Sequence, residues 1–226
     1  MNQIKAITFD LDATLAHGAL DTENYKKALT KYLHKIGYSG GNAALNKSRQ
    51  AMLERLKKHQ KRNIELRFDL LYSNILFDLG LDITQGRLDY IEGLYNQFFK
   101  IEIVPGVKEM LADLSKQYKL AIVANAISNV SRFALQKLDL TKYFDCIVLS
   151  RDLGVRKPDL EIFVYALRSM WIKANEAVHV GDSLEDDVQG GKNAGMNTVW
   201  IKGDEELTNI HPDFIISKVT ELPSLF

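Results

Sequence analysis

The chain has one cysteine in 226 residues, Cys146, so it cannot form an internal disulfide bond. A lack of disulfides is typical of reducing compartments, and we therefore expect a cytosolic protein. No uninterrupted apolar run approaches the ~20 residues that a membrane-spanning helix needs, which argues against a membrane protein. Strand-like sequence already begins at Ile4, so we expect no signal peptide.

The chain also lacks an excess of charge of either sign, with 29 basic and 29 acidic residues. This balance gives no electrostatic reason to expect binding to nucleic acid or to an anionic membrane. A hydrophobic fraction of 46% and a charged fraction of 26% are ordinary for a globular protein. The length suits one large domain or one domain with an insert, and no internal repeat is visible.

The stretch from about residue 20 to residue 100 reads as helices with short breaks. The spacing of apolar residues predicts four helices. The first ends near Gly37, the second covers about Asn42 to Arg62, the third covers about Ile64 to Leu79, and the fourth begins after Thr84, which is its N-cap. Four helices joined by short loops predict a small bundle, and the aromatic residues expected in its core are Phe68, Tyr72, Phe98 and Phe99.

Outside that stretch, short apolar strands alternate with helices. The first strand covers Ile4 to Phe9, and the later strands are expected at residues 120–123, 147–149, 177–180, 198–201 and 214–216. This alternation predicts an α/β fold, a Rossmann-like parallel sheet covered on both faces. We expect a core domain of residues 1–15 and 104–226, interrupted by a helical cap domain of residues 16–103.

Polar residues follow several of the predicted strands. Asp10 and Asp12 follow the first strand, Asn125 and Asp182 follow later ones, and Lys157 lies beyond another. Ligands of such sheets bind at the carboxyl ends of the strands. The sequence therefore predicts that these side chains converge on one crevice.

Asp10 is the best candidate for a nucleophile, because an ionised carboxylate can attack an electrophile and form a covalent intermediate. Asp12 is placed to give a proton to a leaving group and later to take one from water. Alternatively, two such acids could simply be solvated in a turn.

A second acidic cluster follows a strand at Asp182. Enrichment of acids at a helix N-terminus accounts for Glu185, Asp186 or Asp187, but it does not account for Asp182. Asp10 and Asp182 together offer the oxygen ligands that Mg²⁺ prefers.

Lys157 could neutralise charge that develops on a phosphoryl group. Taken alone, it would be an ordinary surface lysine before a helix.

Taken together and in this order, three motifs resemble those of the haloacid dehalogenase superfamily of hydrolases. Residues 9–15 resemble its D-x-D-x-T motif, residues 155–159 its lysine motif, and residues 179–187, running on to Gly195, its final acidic motif. The helical insert after the first motif resembles the subgroup with a four-helix cap.

The resemblance implies Mg²⁺-dependent hydrolysis of a small phosphorylated metabolite. Asp10 would attack phosphorus and become an aspartyl-phosphate, and Asp12 would act as general acid and then as base. Mg²⁺ would be held by Asp10, the backbone carbonyl of Asp12 and Asp182, with Asp187 or its neighbour Asp186 in support.

The resemblance also implies that Lys157 bridges Asp10 and the phosphoryl group. It places Thr14, Asn125 and Lys157 at the substrate. The cap would close over the substrate and exclude water.

Two positions depart from the family pattern. Ala124 stands where a serine or threonine usually binds phosphate, and the loss of that hydroxyl could slow turnover roughly tenfold to a hundredfold. Ala13 stands where glycine is commoner, and it is harmless only if its φ angle is negative.

Four functions compete. The first is the phosphatase, and the second is a 2-haloacid dehalogenase, which needs neither a proton donor nor a metal and is disfavoured by Asp12 and Asp182. A phosphomutase and a weakly active binding or regulatory relative are the others, and Ala124 is the only support for the last. The sequence indicates neither the natural substrate nor the oligomeric state.

Overall fold

A computed structural model describes residues 3–203, 206 and 209–226. The strands are β1 (Ala6–Phe9), β2 (Ala16–Leu20), β3 (Phe99–Ile103), β4 (Lys119–Ala124), β5 (Cys146–Leu149), β6 (Ala177–Gly181), β7 (Asn197–Ile201) and β8 (Phe214–Ile216). The α-helices are α1 (Thr22–Lys35), α2 (Asn42–Gln60), α3 (Phe68–Asp78), α4 (Gln85–Phe98), α5 (Val107–Leu114), α6 (Val130–Lys137), α7 (Ser150–Leu153), α8 (Leu160–Met170) and α9 (Gly190–Asn193). Short 3₁₀ turns occupy Thr141–Tyr143, Ala174–Glu176 and Val219–Ser224, and a π-helix occupies Leu184–Gln189.

Six strands form one parallel sheet in the order β5-β4-β1-β6-β7-β8. β1 lies in the middle, between β4 and β6, so the chain begins at the centre of the sheet. The α/β fold with an inserted helical segment is confirmed.

Successive side chains of a strand point to opposite faces of the sheet, and helices cover both faces. On one face, Ile7 and Phe9 of β1 pack with Val107 and Leu111 of α5. On the other face, Ala6 of β1 packs with residues of α8 such as Phe163. The strands therefore read as nearly continuous apolar runs, as expected for a covered parallel sheet.

The insert has a hydrophobic core of its own, built by α1, α2, α3 and α4. Leu29 and Leu33 of α1 are fully buried there, and the hydroxyl of Tyr25 donates to the hydroxyl of Tyr72 at 2.6 Å. The predicted N-cap is present, since Thr84 accepts a hydrogen bond from the backbone N–H of Arg87. The limits of the two domains stay a prediction, and residues 1 and 2 lie outside the described part of the chain.

The two connections between sheet and insert are strands that the sequence did not reveal. β2 and β3 pair antiparallel, with Gly18 opposite Ile101, and form a two-stranded ribbon. The fourth helix accordingly ends at Phe98, and Phe99, which we expected in the bundle core, begins β3. β3 has only five residues, of which every second one is partly buried. So short an alternation does not distinguish a strand from the end of a helix.

The third helix begins four residues later than predicted, at Phe68. The segment before it is extended, because Ile64 forms an antiparallel bridge with Val155 of the core. The predicted helix after Leu184 begins as a π-helix. Within the described residues, no helix is both long enough and apolar enough to span a membrane.

Candidate active site

Asp10 lies directly after β1, at the carboxyl edge of the sheet. Its backbone N–H donates to the carbonyl of Val180 at 2.9 Å, so the parallel pairing of β1 with β6 continues up to this residue. The residue is only 8% exposed. Burial raises the pKa of Asp10 to about 7, against the opposing effect of Lys157.

Lys157 is 2% exposed, and its ammonium group contacts two carboxylates. Its Nζ lies 2.6 Å from Oδ1 of Asp10 and 2.5 Å from Oδ1 of Asp187. Burial by itself would lower the pKa of this lysine, but the two carboxylates raise it well above its usual value. Lys157 is therefore a buried cation, and its contact with the candidate nucleophile agrees with the position predicted from the motif.

Asp187 also contacts this lysine, and both of its carboxylate oxygens have further hydrogen-bond partners. Oδ1 also lies 3.0 Å from Nε2 of His179, and Oδ2 accepts from the backbone N–H of Ser183 at 3.0 Å. Burial would raise the pKa of Asp187, but Lys157 and His179 outweigh it and keep that pKa far below the usual value. In this structure these contacts place Asp187 against Lys157, and its predicted role in support of the metal ion stays a prediction.

His179, which the sequence marks only as a residue within a strand, completes this buried chain of hydrogen bonds. Its Nδ1 lies 2.7 Å from the hydroxyl of Thr8 on β1. Burial lowers the pKa of His179, so the ring is neutral. Since Asp187 can only accept, Nε2 carries the proton and Nδ1 accepts from Thr8.

Asp182 follows β6 next to Asp10. Its backbone carbonyl accepts from the indole N–H of Trp200 at 2.7 Å, which fixes the turn after the strand. Burial raises the pKa of Asp182 to about 6, and the charge of Asp187 adds to this shift. The negative charge of Asp182 also raises the pKa of Asp10, because it disfavours a second negative charge nearby.

The donor set fits a hard divalent cation. Asp10, Asp182 and Asp187 bring three carboxyl groups to this end of the sheet, and the ammonium of Lys157 contacts Asp10 and Asp187. Within the described ranges, no group of three or more His, Cys, Asp or Glu side chains is arranged to hold a metal ion. The predicted site consists of the carboxylates of Asp10 and Asp182 and the backbone carbonyl of Asp12, with Asp187 or Asp186 in support, and Mg²⁺ completes such sets with water or phosphate oxygens.

Asn125 anchors the loop that carries Lys157. Its Oδ1 accepts from the backbone N–H of Lys157 at 2.8 Å, and its Nδ2 donates to the carbonyl of the same residue at 3.2 Å. The same Nδ2 lies 2.9 Å from Oδ2 of Asp186. In this structure the amide therefore serves Lys157 and Asp186, and the predicted contact of Asn125 with a substrate stays a prediction.

Asp12 points into the space between sheet and insert, and the ribbon orients it. Its Oδ1 accepts from the backbone N–H groups of Gly18 at 2.8 Å and Ala13 at 3.2 Å. A Cβ atom at Gly18 would lie 2.5 Å from Cζ of Phe99, so any larger residue here would require the Phe99 ring to move. Sequence reasoning missed Gly18, and its proximity to the first motif was the only available signal.

Thr14 and Ala124 complete the set of predicted positions. Thr14 is buried, and its hydroxyl has no hydrogen-bond partner among the described residues. Thr14 and Asp182 line one cavity, whereas Asp12 and Asn125 line another. Ala124 ends β4 and is 3% exposed. Because this residue is alanine, its side chain offers no hydroxyl to a phosphate.

The order of the sheet strands, the helical insert and the paired carboxylates define a class of hydrolase. A family model described as haloacid dehalogenase-like hydrolase matches residues 7–201. The chain is 30% identical to the glyceraldehyde 3-phosphate phosphatase of Pyrococcus furiosus, over all of this chain and 92% of that protein. The chain therefore belongs to the haloacid dehalogenase-like hydrolases.

Two solved structures illustrate the range of proteins with this fold. A 2-haloacid dehalogenase from Pseudomonas syringae pv. Tomato is 29% identical, with a TM-score of 0.77 over 99% of this chain and 98% of that one. The putative HAD-hydrolase YfnB of Bacillus subtilis, in a structure bound to magnesium, is 23% identical, with a TM-score of 0.64 over 99% of both chains. The second likeness concerns the fold alone.

We predict that Ala13→Gly stabilises the protein. Ala13 adopts a φ angle of +57°. Alanine would be harmless here only at a negative φ angle, so this residue is strained. Glycine relieves this left-handed strain but loses more entropy on folding, which leaves a gain of about 0.5–1 kcal/mol in the free energy of unfolding. Urea denaturation measures this change. The control Ala19→Gly, in β2, should be destabilising, and a loss of stability in Ala13→Gly would contradict the prediction.

We predict that Gly181→Ala impairs both stability and activity. A Cβ atom at Gly181 would lie 2.2 Å from Cγ of Asp187, which must then move away from Lys157. Overpacking of this kind costs about 1–3 kcal/mol, and displacement of Lys157 should lower kcat at least about tenfold. Denaturation and phosphatase assays measure the two effects. The matched control is Gly93→Ala on α4, where a Cβ meets nothing within 4 Å, and this variant should be at least as stable as the wild type.

Proposed function

We propose that the protein is a Mg²⁺-dependent phosphohydrolase that cleaves a small phosphorylated metabolite through an aspartyl-phosphate on Asp10. The observation that carries the proposal is the contact of the buried Lys157 ammonium with Oδ1 of Asp10, 2.6 Å away, at the end of the central strand. A fixed cation beside a nucleophilic carboxylate suits a reaction in which negative charge builds up on a phosphoryl group. The phosphatase from Pyrococcus furiosus supports the same class of reaction.

In the first step, an oxygen of Asp10 attacks phosphorus, and the bond between phosphorus and the leaving oxygen breaks. Asp12 gives its proton to that leaving oxygen. Its orientation supports this role, since the bonds from Gly18 and Ala13 fix the carboxylate at the edge of the cavity. The ammonium of Lys157 keeps Asp10 in place and offsets the charge of the transferred group.

In the second step, Asp12 takes a proton from water, and the oxygen of that water attacks phosphorus. The bond between Asp10 and phosphorus breaks, which restores the carboxylate and releases inorganic phosphate. A bound Mg²⁺, held by Asp10, Asp182 and the backbone carbonyl of Asp12, would supply positive charge that lowers the pKa of both carboxylates and stabilises the phosphoryl oxygens.

Thr14 is proposed to contact the phosphoryl group, because its buried hydroxyl has no partner among the described residues. The helical insert, residues 16–103, is proposed as the cap that covers the substrate. A cavity of about 290 Å³ between insert and sheet supports this, since Asp12 from the core and Tyr95 from the insert both line it.

The second candidate is a 2-haloacid dehalogenase, favoured by the similar structure from Pseudomonas syringae. Ala124 is compatible with it, since that reaction has no phosphate to bind. However, cleavage of a carbon–halogen bond uses neither a proton donor nor a metal, so it gives no reason for Asp12 and Asp182. The oriented carboxylate of Asp12 therefore favours phosphate ester hydrolysis.

The first test of this function uses p-nitrophenyl phosphate. The wild type should release nitrophenol with Mg²⁺ and not with EDTA, and Asp10→Asn should lower kcat at least about a thousandfold, because the amide is not a nucleophile. Asp113→Asn, at an exposed acid on α5, is the matched control and should keep its activity. Metal-independent halide release from 2-chloropropionate, without phosphatase activity, would establish the dehalogenase instead.

We also predict that Ala124→Ser raises the phosphatase activity. A hydrogen bond from the new hydroxyl to a charged phosphoryl group is worth ~1.5–3 kcal/mol, which corresponds to a gain of up to about tenfold to a hundredfold in kcat/KM. Steady-state kinetics with p-nitrophenyl phosphate measure it. The control Ala121→Ser adds the same hydroxyl to the same strand among core residues and should give no gain. An unchanged or lower kcat/KM for Ala124→Ser would show that the hydroxyl is not what limits the enzyme.

A further inference from the structure

The cavity between insert and sheet contains a buried carboxylate that the proposed reaction does not use. The cavity has a volume of about 290 Å³, and its lining includes Asp12, Asn125 and Arg156 from the core and Glu65, Tyr95 and Phe99 from the insert. Since Asp12 is the proposed acid for the leaving group, this cavity lies on the leaving-group side of the reaction. Its volume is just below the usual range of about 300–1,000 Å³ for ligand pockets, which suits a short substrate.

Glu65 is fixed in place by its backbone. Its N–H donates to the carbonyl of Gly154 at 3.0 Å, and the neighbouring Ile64 forms the bridge with Val155. The residue is 5% exposed, although it lies in a connection between two helices, where most side chains reach solvent. The extended segment therefore delivers a charged side chain to the boundary between insert and core.

Among the described residues, a hydrogen-bond partner is found for one of the two carboxylate oxygens of Glu65. Oε2 accepts from the hydroxyl of Ser150 at 2.7 Å, and that hydroxyl in turn accepts from the backbone N–H of Ala126 at 2.8 Å. Oε1 is buried and has no hydrogen-bond partner among the residues that the structure describes. A role confined to linking insert and core accounts for Oε2 and leaves Oε1 unexplained.

An unpaired buried acceptor is costly, about 1–3 kcal/mol and more if it is charged. Burial accordingly raises the pKa of Glu65, although Ser150, the positive charge of Arg156 and the backbone N–H of Leu66 act against this shift. A ligand with a hydrogen-bond donor would satisfy Oε1 and remove the cost. The apolar walls formed by Tyr95, Phe99 and Ile101 would cover the carbon chain of such a ligand.

We propose that Glu65 is a specificity-determining residue, whose buried Oε1 accepts a hydrogen bond from a hydroxyl or ammonium group on the leaving-group part of a short phosphate monoester. The proposal rests on the proposed phosphohydrolase function and adds the substrate class to it. A site built around a buried polar group rejects analogues that lack the matching group, because that group is then left unpaired. The preferred substrates are therefore small polyol or amino-alcohol phosphates.

The test compares three phosphate monoesters with the same three-carbon chain, namely 3-hydroxypropyl, 3-aminopropyl and propyl phosphate. The wild type should show a kcat/KM at least about tenfold higher for one of the polar esters than for propyl phosphate, since a hydrogen bond to a charged group contributes that much. Whichever ester is preferred distinguishes a hydroxyl from an ammonium group. Glu65→Gln should lower the preference at least about fivefold, because its amide replaces a charged acceptor.

Two further variants separate recognition from a structural role. Glu65→Asp keeps the charge but is one methylene shorter, so it should also lose the preference. Ser150→Ala removes the hydroxyl that binds Oε2 and should melt at a lower temperature while keeping the preference for the polar ester. A structural role alone would lower kcat/KM for all three esters by the same factor in every variant.

The outcomes also separate this inference from the proposed function. If the wild type hydrolyses p-nitrophenyl phosphate but prefers neither polar ester, the role of Glu65 is overturned and the phosphohydrolase stands. An unchanged preference in both Glu65→Gln and Glu65→Asp overturns it as well. If the wild type hydrolyses none of these phosphate esters, the phosphohydrolase itself is wrong, and the role of Glu65 is overturned with it.

Discussion

The active-site region depends on one buried cation, the ammonium of Lys157, held between Asp10 and Asp187. A charge that is 2% exposed is tolerated only with close partners of opposite sign. Asp187 is itself fixed by His179 and by the backbone of Ser183, so the position of Lys157 is set by residues from β6 and the turn after it. Removing either carboxylate would leave a buried, partly uncompensated charge, which explains why so many polar contacts converge on this point.

The insert is joined to the core through contacts on both sides of this site. The ribbon of β2 and β3 holds Asp12 through the backbone N–H of Gly18. The extended segment at Ile64 pairs with Val155, two residues before Lys157. The proposed acid and the buried lysine are thus each linked to an element of the insert. A change in the position of the insert would therefore reach both residues through short backbone connections.

The chain is similar to a phosphatase and to a 2-haloacid dehalogenase. Attack by a carboxylate on an electrophilic centre, as proposed for Asp10, can serve either kind of reaction. The distinction lies in the residues around that carboxylate. Under the proposed function, Ala124 lacks one expected phosphate contact, whereas Asp12 and Asp182 supply the proposed proton donor and metal ligand. Ala13, strained at a φ of +57°, lies directly beside Asp12. Local strain of this kind at a candidate site agrees with the general tendency of functional residues to hold unfavourable conformations.

The sequence alone determined the sheet, the insert and the polar residues after the strands, because hydrophobic periodicity and strand ends are local properties. It could not determine β2 and β3, since five half-buried residues give too weak a pattern, nor the extended turn at Ile64, whose partner Val155 lies 91 positions further along the chain. Only the tertiary structure decided that Asn125 binds the backbone of Lys157 and that Asp187 binds its side chain. It also decided that Glu65 reaches the cavity. Those contacts join residues far apart in sequence, and the sheet order and the packing of the insert fix which of them meet.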